Sequence, residues 1–179
     1  PPYEGEYRVS GLSQTVEVFF DDYAVPHVFA ANEMDAFFTA GYLMARERLF
    51  QMTINAATTE GRLSELFGES QLESDIFLRT WGIPQIAKKL VDELTPESKA
   101  VLATFCDGVN TYINEIDNAL PIEFKLLRIK PIFWQPKHIT GYARLMAYSL
   151  SQSWYPEMLF GQVAYMFGEA KALELWPAS

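Results

Sequence analysis

The chain has 179 residues, a length that suits one folded domain with a buried core. Its formal net charge of -9 argues against nucleic acid as a partner, because an acidic surface repels phosphate backbones. No run of about 18 consecutive apolar residues occurs, so the sequence predicts no membrane span. With 49 % hydrophobic and 15 % aromatic residues, the composition predicts either a well-filled helical core or apolar surface covered by another molecule.

Two short strands are predicted near the N-terminus, between about residues 15 and 30. Apolar and polar residues alternate through 16–20, residues 21–24 have the composition of a turn, and 26–30 form the return strand. An isolated hairpin is only marginally stable in water, and the rest of the chain offers almost no further strands. We therefore expect the hairpin to join a sheet that belongs to another chain.

From residue 32 onward the pattern is mainly helical. Asn32 is a suitable N-cap for a long helix, whose apolar residues recur at helical spacing until Gly61 ends it. Further helices are predicted at 63–67, from about 74 into the eighties with an interruption at Pro84, from Thr95 to about 118, and at about 137–153. The last of these is apolar around most of its circumference, so we expect it to be buried from several sides.

The familiar catalytic motifs are absent. The two histidines, His27 and His138, have no spacing to cysteines or carboxylates that would suggest zinc. No nucleophile elbow, P-loop or dinucleotide-binding motif occurs. His27 is predicted to be a structural turn or strand residue. No catalytic residue is therefore predicted in this chain.

Arg48 falls on the apolar stripe of the long helix, which predicts a buried guanidinium. Such a group must be paired and hydrogen-bonded, because removing its water is costly. We expect a structural role for Arg48, with Glu65 or a carboxylate of a partner chain as its mate. The alternative is a substrate contact.

Five segments of the sequence, in order along the chain, resemble motifs of the penicillin acylase family. They are YAVPHV at residues 23–28, GYLMARERLFQM at 41–52, GRLSELFG at 61–68, DGVNTY at 107–112 and PIFWQP at 131–136. The chain departs from the family at several positions. Ala24 replaces a signature glycine, and His138 stands where aspartate is common.

Members of that family are made as one precursor that cuts itself into a short α chain and a longer β chain. The resemblance implies that residues 1–179 form a single α-chain domain, with strands at about 15–30 and helices at 32–179, intertwined with the β chain. The expected fold class is α+β, the αββα fold of N-terminal-nucleophile hydrolases completed by the β chain. The implied activity is hydrolysis of a linear N-acyl amide by the N-terminal serine of the β chain, with no cofactor for catalysis.

The resemblance also implies site residues. Met146, Ser149 and Leu150 fall on positions of the acyl pocket, where Ser149 replaces an arginine and Leu150 an aromatic residue. Adaptable methionine and small leucine suit an aliphatic acyl chain at least as well as a phenylacetyl group. The alternative is that Met146 and Leu150 only pack in the core. Glu157 is nearest to a family glutamate that helps to hold a structural calcium; the alternative is an exposed glutamate at a helix start.

Two questions stay open at the level of sequence. The substrate could be a penicillin-type aromatic amide, or a long-chain acyl-homoserine lactone or lipopeptide. A different class of function, a non-catalytic helical binding or interaction module, fits a family remnant without an active partner. The expected location is periplasmic or secreted. No signal peptide is visible, as in a mature chain whose leader has been removed.

Overall fold

A computed structural model of the chain describes residues 4–116, 119–151 and 154–175. The chain divides into two compact units, one that ends at Tyr142 and one that begins at Ala143. The prediction of one domain intertwined with a second chain concerns the assembled protein, and it stays a prediction.

The first unit begins with the predicted hairpin, which is confirmed. Strand β1 (Glu17–Phe20) pairs antiparallel with β2 (Pro26–Phe29), and Glu17 lies opposite Phe29. Because side chains alternate across a strand, the hairpin has two different faces. On one face Val18, Phe20 and Val28 are half-buried, while on the other Phe19 and Phe29 are 64 % and 63 % exposed.

Helix α1 (Glu33–Glu60) is the central element of this unit. It begins as predicted, because the Asn32 side chain accepts a hydrogen bond from the backbone N–H of Asp35 at 2.9 Å. It also ends as predicted at Gly61, which takes a left-handed φ of 62° that glycine adopts without steric cost. Between these caps the helix is kinked at Arg48, where φ is -137° and ψ is 24°.

The remaining elements are helices of different lengths. They are α2 (Leu63–Phe67), a 3-10 turn (Glu69–Gln71), α3 (Leu72–Thr80), α4 (Ile83–Glu93), α5 (Pro96–Ile116), α6 (Ile122–Leu127), α7 (Pro136–Leu150), α8 (Trp154–Phe167) and α9 (Glu169–Leu175). The break predicted at Pro84 lies earlier, at Gly82, since proline is tolerated in the first turn of α4. Helix α6 was not predicted.

The core of the first unit lies between α1 and α5. The side chains buried there are mainly Leu49, Met52, Ala56, Val109, Ile113 and Phe124. Residues 110 and 134 join α5 to the loop before α7, because the Asn110 side chain accepts from the Trp134 N–H at 2.7 Å and donates to its carbonyl at 2.9 Å. These two residues belong to two of the sequence motifs.

Helices α7 and α8 have few buried residues among those that the structure describes. Helix α7 has His138, Thr140 and Gly141 as its buried residues, so the prediction that it is buried from several sides is wrong for this chain taken by itself. The described part of α8, Trp154–Phe167, has no buried residue. Among the helices in the described ranges, none combines the length and the apolar character that crossing a membrane requires.

Candidate functional site

The predicted acyl-contact residues lie together on the last turns of α7, within the second unit. Met146, Ser149 and Leu150 are three and four positions apart, a spacing that puts them on one face of a helix. Met146 is 41 % exposed and Leu150 is 80 % exposed. The Ser149 hydroxyl donates to the Met146 carbonyl at 2.9 Å. The structure therefore presents an apolar, uncharged face of flexible side chains.

Glu157, the predicted calcium ligand, is exposed in the first turn of α8. Calcium takes about six to eight oxygen ligands. Within the described ranges, no group of three or more acidic, histidine or cysteine side chains could hold a metal ion. The described residues by themselves do not make a calcium site, and a site that includes Glu157 would need further oxygen ligands from elsewhere.

His27 lies at the base of the hairpin turn. Its Nε2 atom is 3.2 Å from a carboxylate oxygen of Asp21, whose other oxygen accepts the backbone N–H groups of Tyr23 and Val25 at 2.9 Å each. The hydrogen bond from Val25 and that from His27 lower the pKa of Asp21. In this geometry Asp21 stabilises the turn through these hydrogen bonds, and His27 contacts Asp21 from the return strand.

The buried guanidinium of α1 belongs to Arg46, two residues from the position predicted. The Arg46 side chain is 9 % exposed, lies 3.4 Å from Glu47, and has its guanidinium carbon 5.8 Å from the centroid of the Phe20 ring. Arg48 is exposed, and Glu65 is bound to Arg62 at 2.7 Å. The burial predicted for Arg48 and its pairing with Glu65 are therefore wrong.

The physical reason for that error is the side of the helix on which Arg48 lies. Arg48 follows Met44 by one turn, and Met44 is itself 48 % exposed, so this side of α1 is only partly covered. The backbone also departs from helical geometry here, since the φ of Arg48 is -137° and the helical value is about -63°.

A half-buried charge cluster that the sequence analysis missed surrounds Glu60 at the end of α1. Glu60 accepts hydrogen bonds from Lys137 at 2.5 Å, Arg62 at 2.7 Å and His138 at 3.2 Å. Burial alone would raise the pKa of Glu60, but these three donors outweigh it and lower the pKa to about 2. The carboxylate is therefore charged at every pH at which the protein would work.

His138 also binds the backbone at the start of α7. Its Nδ1 atom accepts the backbone N–H of Gln135 at 3.1 Å, so its proton resides on Nε2 and is donated to Glu60. Burial lowers the pKa of His138 and keeps the ring neutral. Position 138 is the third residue of α7, where a side chain often reaches back to the N-cap amide. That spacing was the signal that could have revealed the contact.

Among the described residues, no serine, threonine or cysteine side chain is hydrogen-bonded to a histidine or lysine that could act as its base. Ser13 and Ser64 donate to Asp35 and Asp75, but hydrogen bonds lower the pKa of both carboxyl groups and make them weak bases. Cys106 is buried, and burial raises the pKa of its thiol to about 12, so it is protonated and unreactive at neutral pH. A groove of about 540 Å³ is lined mainly by hydroxyl, amide and carboxylate groups, and none of the predicted site residues lines it.

Comparison with known proteins supplies the family context. The family model described as penicillin amidase matches residues 15–179. The penicillin acylase 2 proenzyme of Pseudomonas sp. (strain SE83) is 32 % identical over 176 residues, which are 98 % of this chain and 22 % of that protein. An acyl-homoserine lactone acylase, QuiP, of Pseudomonas syringae pv. syringae (strain B728a) is 31 % identical over 84 % of this chain and 18 % of that protein.

The fold has a counterpart among solved structures. A thermostable penicillin G acylase from Alcaligenes faecalis matches with a TM-score of 0.74 at 22 % identity, and the match covers 94 % of both chains. This likeness confirms the predicted fold class, in which a mainly helical chain carries an N-terminal antiparallel hairpin. The chain spans about a fifth of the length of the curated relatives that it matches.

Proposed function

Because this chain belongs to the penicillin amidase family, we propose that it is the shorter, α chain of an enzyme that hydrolyses N-acyl amides. A longer β chain from the same precursor would complete it. Two observations support this arrangement. The relative from strain SE83 is named a proenzyme and is about five times as long as the matched segment. The exposed Phe19 and Phe29 also leave one face of the hairpin without cover in this chain.

The chemistry proposed for the assembled enzyme needs no nucleophile from this chain. The hydroxyl of a serine at the β-chain N-terminus would attack the amide carbonyl, while its own α-amine, with an ordinary pKa of about 7.7–8.0, accepts the proton. The amine of the substrate leaves with a proton, and water then releases the acid from the acyl-enzyme.

The contribution of this chain would be the acyl-contact face of α7. The single observation that carries this proposal is the exposure of Met146 and Leu150 beside an uncharged Ser149. Covering such a face with an acyl chain is favourable by about 0.8 kcal/mol per buried methylene. The adaptable side chains support an aliphatic acyl group as the substrate's acid part, and one curated relative is named for acyl-homoserine lactones.

The test uses the full-length precursor and a panel of amides from phenylacetyl to dodecanoyl. We expect two chains by intact mass, the longer beginning with serine, and turnover of at least one amide. In Leu150→Phe the larger ring should shift preference toward shorter acyl groups by about 10-fold or more. Leu126→Phe, at a leucine that is 74 % exposed on α6, is the matched control and should leave the preference unchanged. An intact two-chain protein that cleaves none of the amides would disprove the proposed activity.

Two further parts of the proposal have separate tests. Glu157 would supply one oxygen of a calcium site whose other ligands lie on the β chain, so a chelator should lower the melting temperature of the unsubstituted protein but not of Glu157→Gln. An equal response of both proteins would remove Glu157 from any such site. A periplasmic or secreted location would be contradicted by recovery of the processed protein in the cytoplasmic fraction of its host.

A further inference from the structure

Three large apolar side chains of α1 remain partly exposed beside its contact with α5. Met34, Phe37 and Met44 are 39 %, 40 % and 48 % exposed, and they recur at a spacing that keeps them on one side of the helix. Met34 also accepts a hydrogen bond from the Thr104 hydroxyl of α5 at 3.6 Å. Arg48 follows Met44 by one turn and is exposed as well. We call these four residues the α1 stripe. It combines an apolar surface with a single guanidinium at one end.

Arg48 has no counter-ion within the described residues. The neighbouring Glu47 is engaged with Arg46 at 3.4 Å, and Glu65 holds Arg62 through two hydrogen bonds. Residues 4–116, 119–151 and 154–175 place no carboxylate within ion-pair distance of Arg48.

The length of the relatives points to further polypeptide of the same protein as the cover of the stripe. This chain matches 22 % and 18 % of two curated relatives, so most of such a protein lies outside it. When the apolar part of the stripe is covered, the guanidinium beside it loses water and must gain a partner with matching charge. Among protein groups a carboxylate fits best, because its two oxygens match the planar fork of arginine.

We propose that Arg48 forms a two-pronged ion pair with an aspartate or glutamate of the longer chain, at the end of an apolar contact made by Met34, Phe37 and Met44. This inference rests on the proposed two-chain enzyme and adds to it a defined anchor point. A guanidinium held in this way fixes the register of the two chains, since an apolar stripe alone tolerates sliding along the helix axis.

The experiment uses the processed full-length protein and measures chain separation by sedimentation in increasing urea. Arg48→Met should raise the equilibrium constant for separation by at least about 30-fold, because it leaves a carboxylate buried and unpaired. Arg48→Lys keeps the charge but loses the planar, two-pronged geometry of the guanidinium. Its equilibrium constant for separation should therefore lie between those of Arg48→Met and the unsubstituted protein. Lys89→Met is the control, because Lys89 is 76 % exposed and pairs only with Glu93 on the polar face of α4.

A second measurement covers the case in which Arg48→Met fails to assemble. A benzoylphenylalanine placed at Met44 should crosslink to a peptide of the longer chain that contains an acidic residue. The inference is overturned if Arg48→Met and Arg48→Lys separate at the urea concentration of the unsubstituted protein, or if the crosslinked peptide has no aspartate or glutamate. A protein that contains no second chain by intact mass would overturn the proposed function together with this inference.

Discussion

A Cβ atom added to Gly41 of α1 would overlap the carbonyl oxygen of Phe105 on α5. The relationship is reciprocal, because a Cβ atom added to Gly108 of α5 would overlap the carbonyl oxygen of Phe38. The two helices thus approach backbone to backbone at a point where neither can carry a side chain. Both glycines belong to sequence motifs that pointed to the family, and helix packing is the physical reason why these positions need glycine.

This close approach predicts that Gly41→Ala destabilises the full-length protein by about 3 kcal/mol, because the backbones of two helices must separate. Denaturant unfolding would measure the loss. Gly161→Ala is the matched control, since Gly161 lies inside α8 with no atom of another residue within 4 Å of an added Cβ. There alanine should stabilise the helix by about 0.5–1 kcal/mol. Equal effects at both positions would contradict the packing argument.

The features that the sequence predicted correctly are those set by neighbouring residues. The N-cap at Asn32, the left-handed end at Gly61 and the helix start at Thr95 each depend on a few adjacent residues, and all are present. The alternation of half-buried and exposed side chains along the hairpin strands is equally local. Such signals survive tertiary packing because the hydrogen bonds that they describe are made within one or two turns.

The features that the sequence analysis missed depend on contacts between distant segments. Glu60 and His138 are 78 positions apart, and no local pattern couples them. Burial was assigned to Arg48 instead of Arg46, because helical periodicity shows which residues share a side of a helix but not which side another element covers. Resemblance and spacing place Met146, Ser149 and Leu150 on one helix face, but no pattern within the chain says what binds there.

The side chain of Asn110 makes two hydrogen bonds to the backbone of Trp134, and we call this contact the Asn110 clamp. It predicts a second loss of stability. Asn110→Ala removes both hydrogen bonds to the backbone of Trp134, a residue that is 7 % exposed and whose N–H and carbonyl would lose this partner. The expected cost is about 2–4 kcal/mol in denaturant unfolding. Asn110→Asp retains the acceptor but loses the amide donor, so it should cost less than alanine.

Asn114 provides the comparison one turn later on α5. It is exposed, and Asn114→Ala should change stability by less than about 0.5 kcal/mol. If alanine at position 110 were tolerated as well as alanine at 114, the clamp would not be a stabilising contact.

Replacing Ala24 by glycine is expected to increase the stability of the protein. It replaces the signature glycine and adopts a left-handed φ of 59°, a conformation that costs an L-residue about 1–2 kcal/mol. Ala24→Gly should therefore stabilise the protein by about 0.5–1 kcal/mol, after allowance for the greater freedom of glycine in the unfolded chain. The same change at the exposed helical Ala103 should destabilise it by a similar amount. A loss of stability at both positions would show that the turn does not strain Ala24.

The charge cluster around Glu60 predicts how stability responds to acid. The pKa of Glu60 is about 2 in the folded chain and 4.5 in an unstructured one, so its ion pairs contribute fully above pH 4.5. That contribution is lost as the pH falls toward 2, by at most about 2 kcal/mol between pH 5 and pH 3. The lowered pKa of His138 acts in the same direction, because the unfolded chain takes up a proton there before the folded one does.

Glu60→Gln isolates this effect, since glutamine keeps the size of the side chain and removes the titration. The difference in unfolding free energy between Glu60→Gln and the unsubstituted protein should be largest at pH 6 and should shrink steadily as the pH approaches 3. Glu65→Gln, at a carboxylate that is 53 % exposed, should give a smaller difference at pH 6. Urea titrations at closely spaced pH values would measure both curves, and a difference for Glu60→Gln that is independent of pH would refute the assigned pKa.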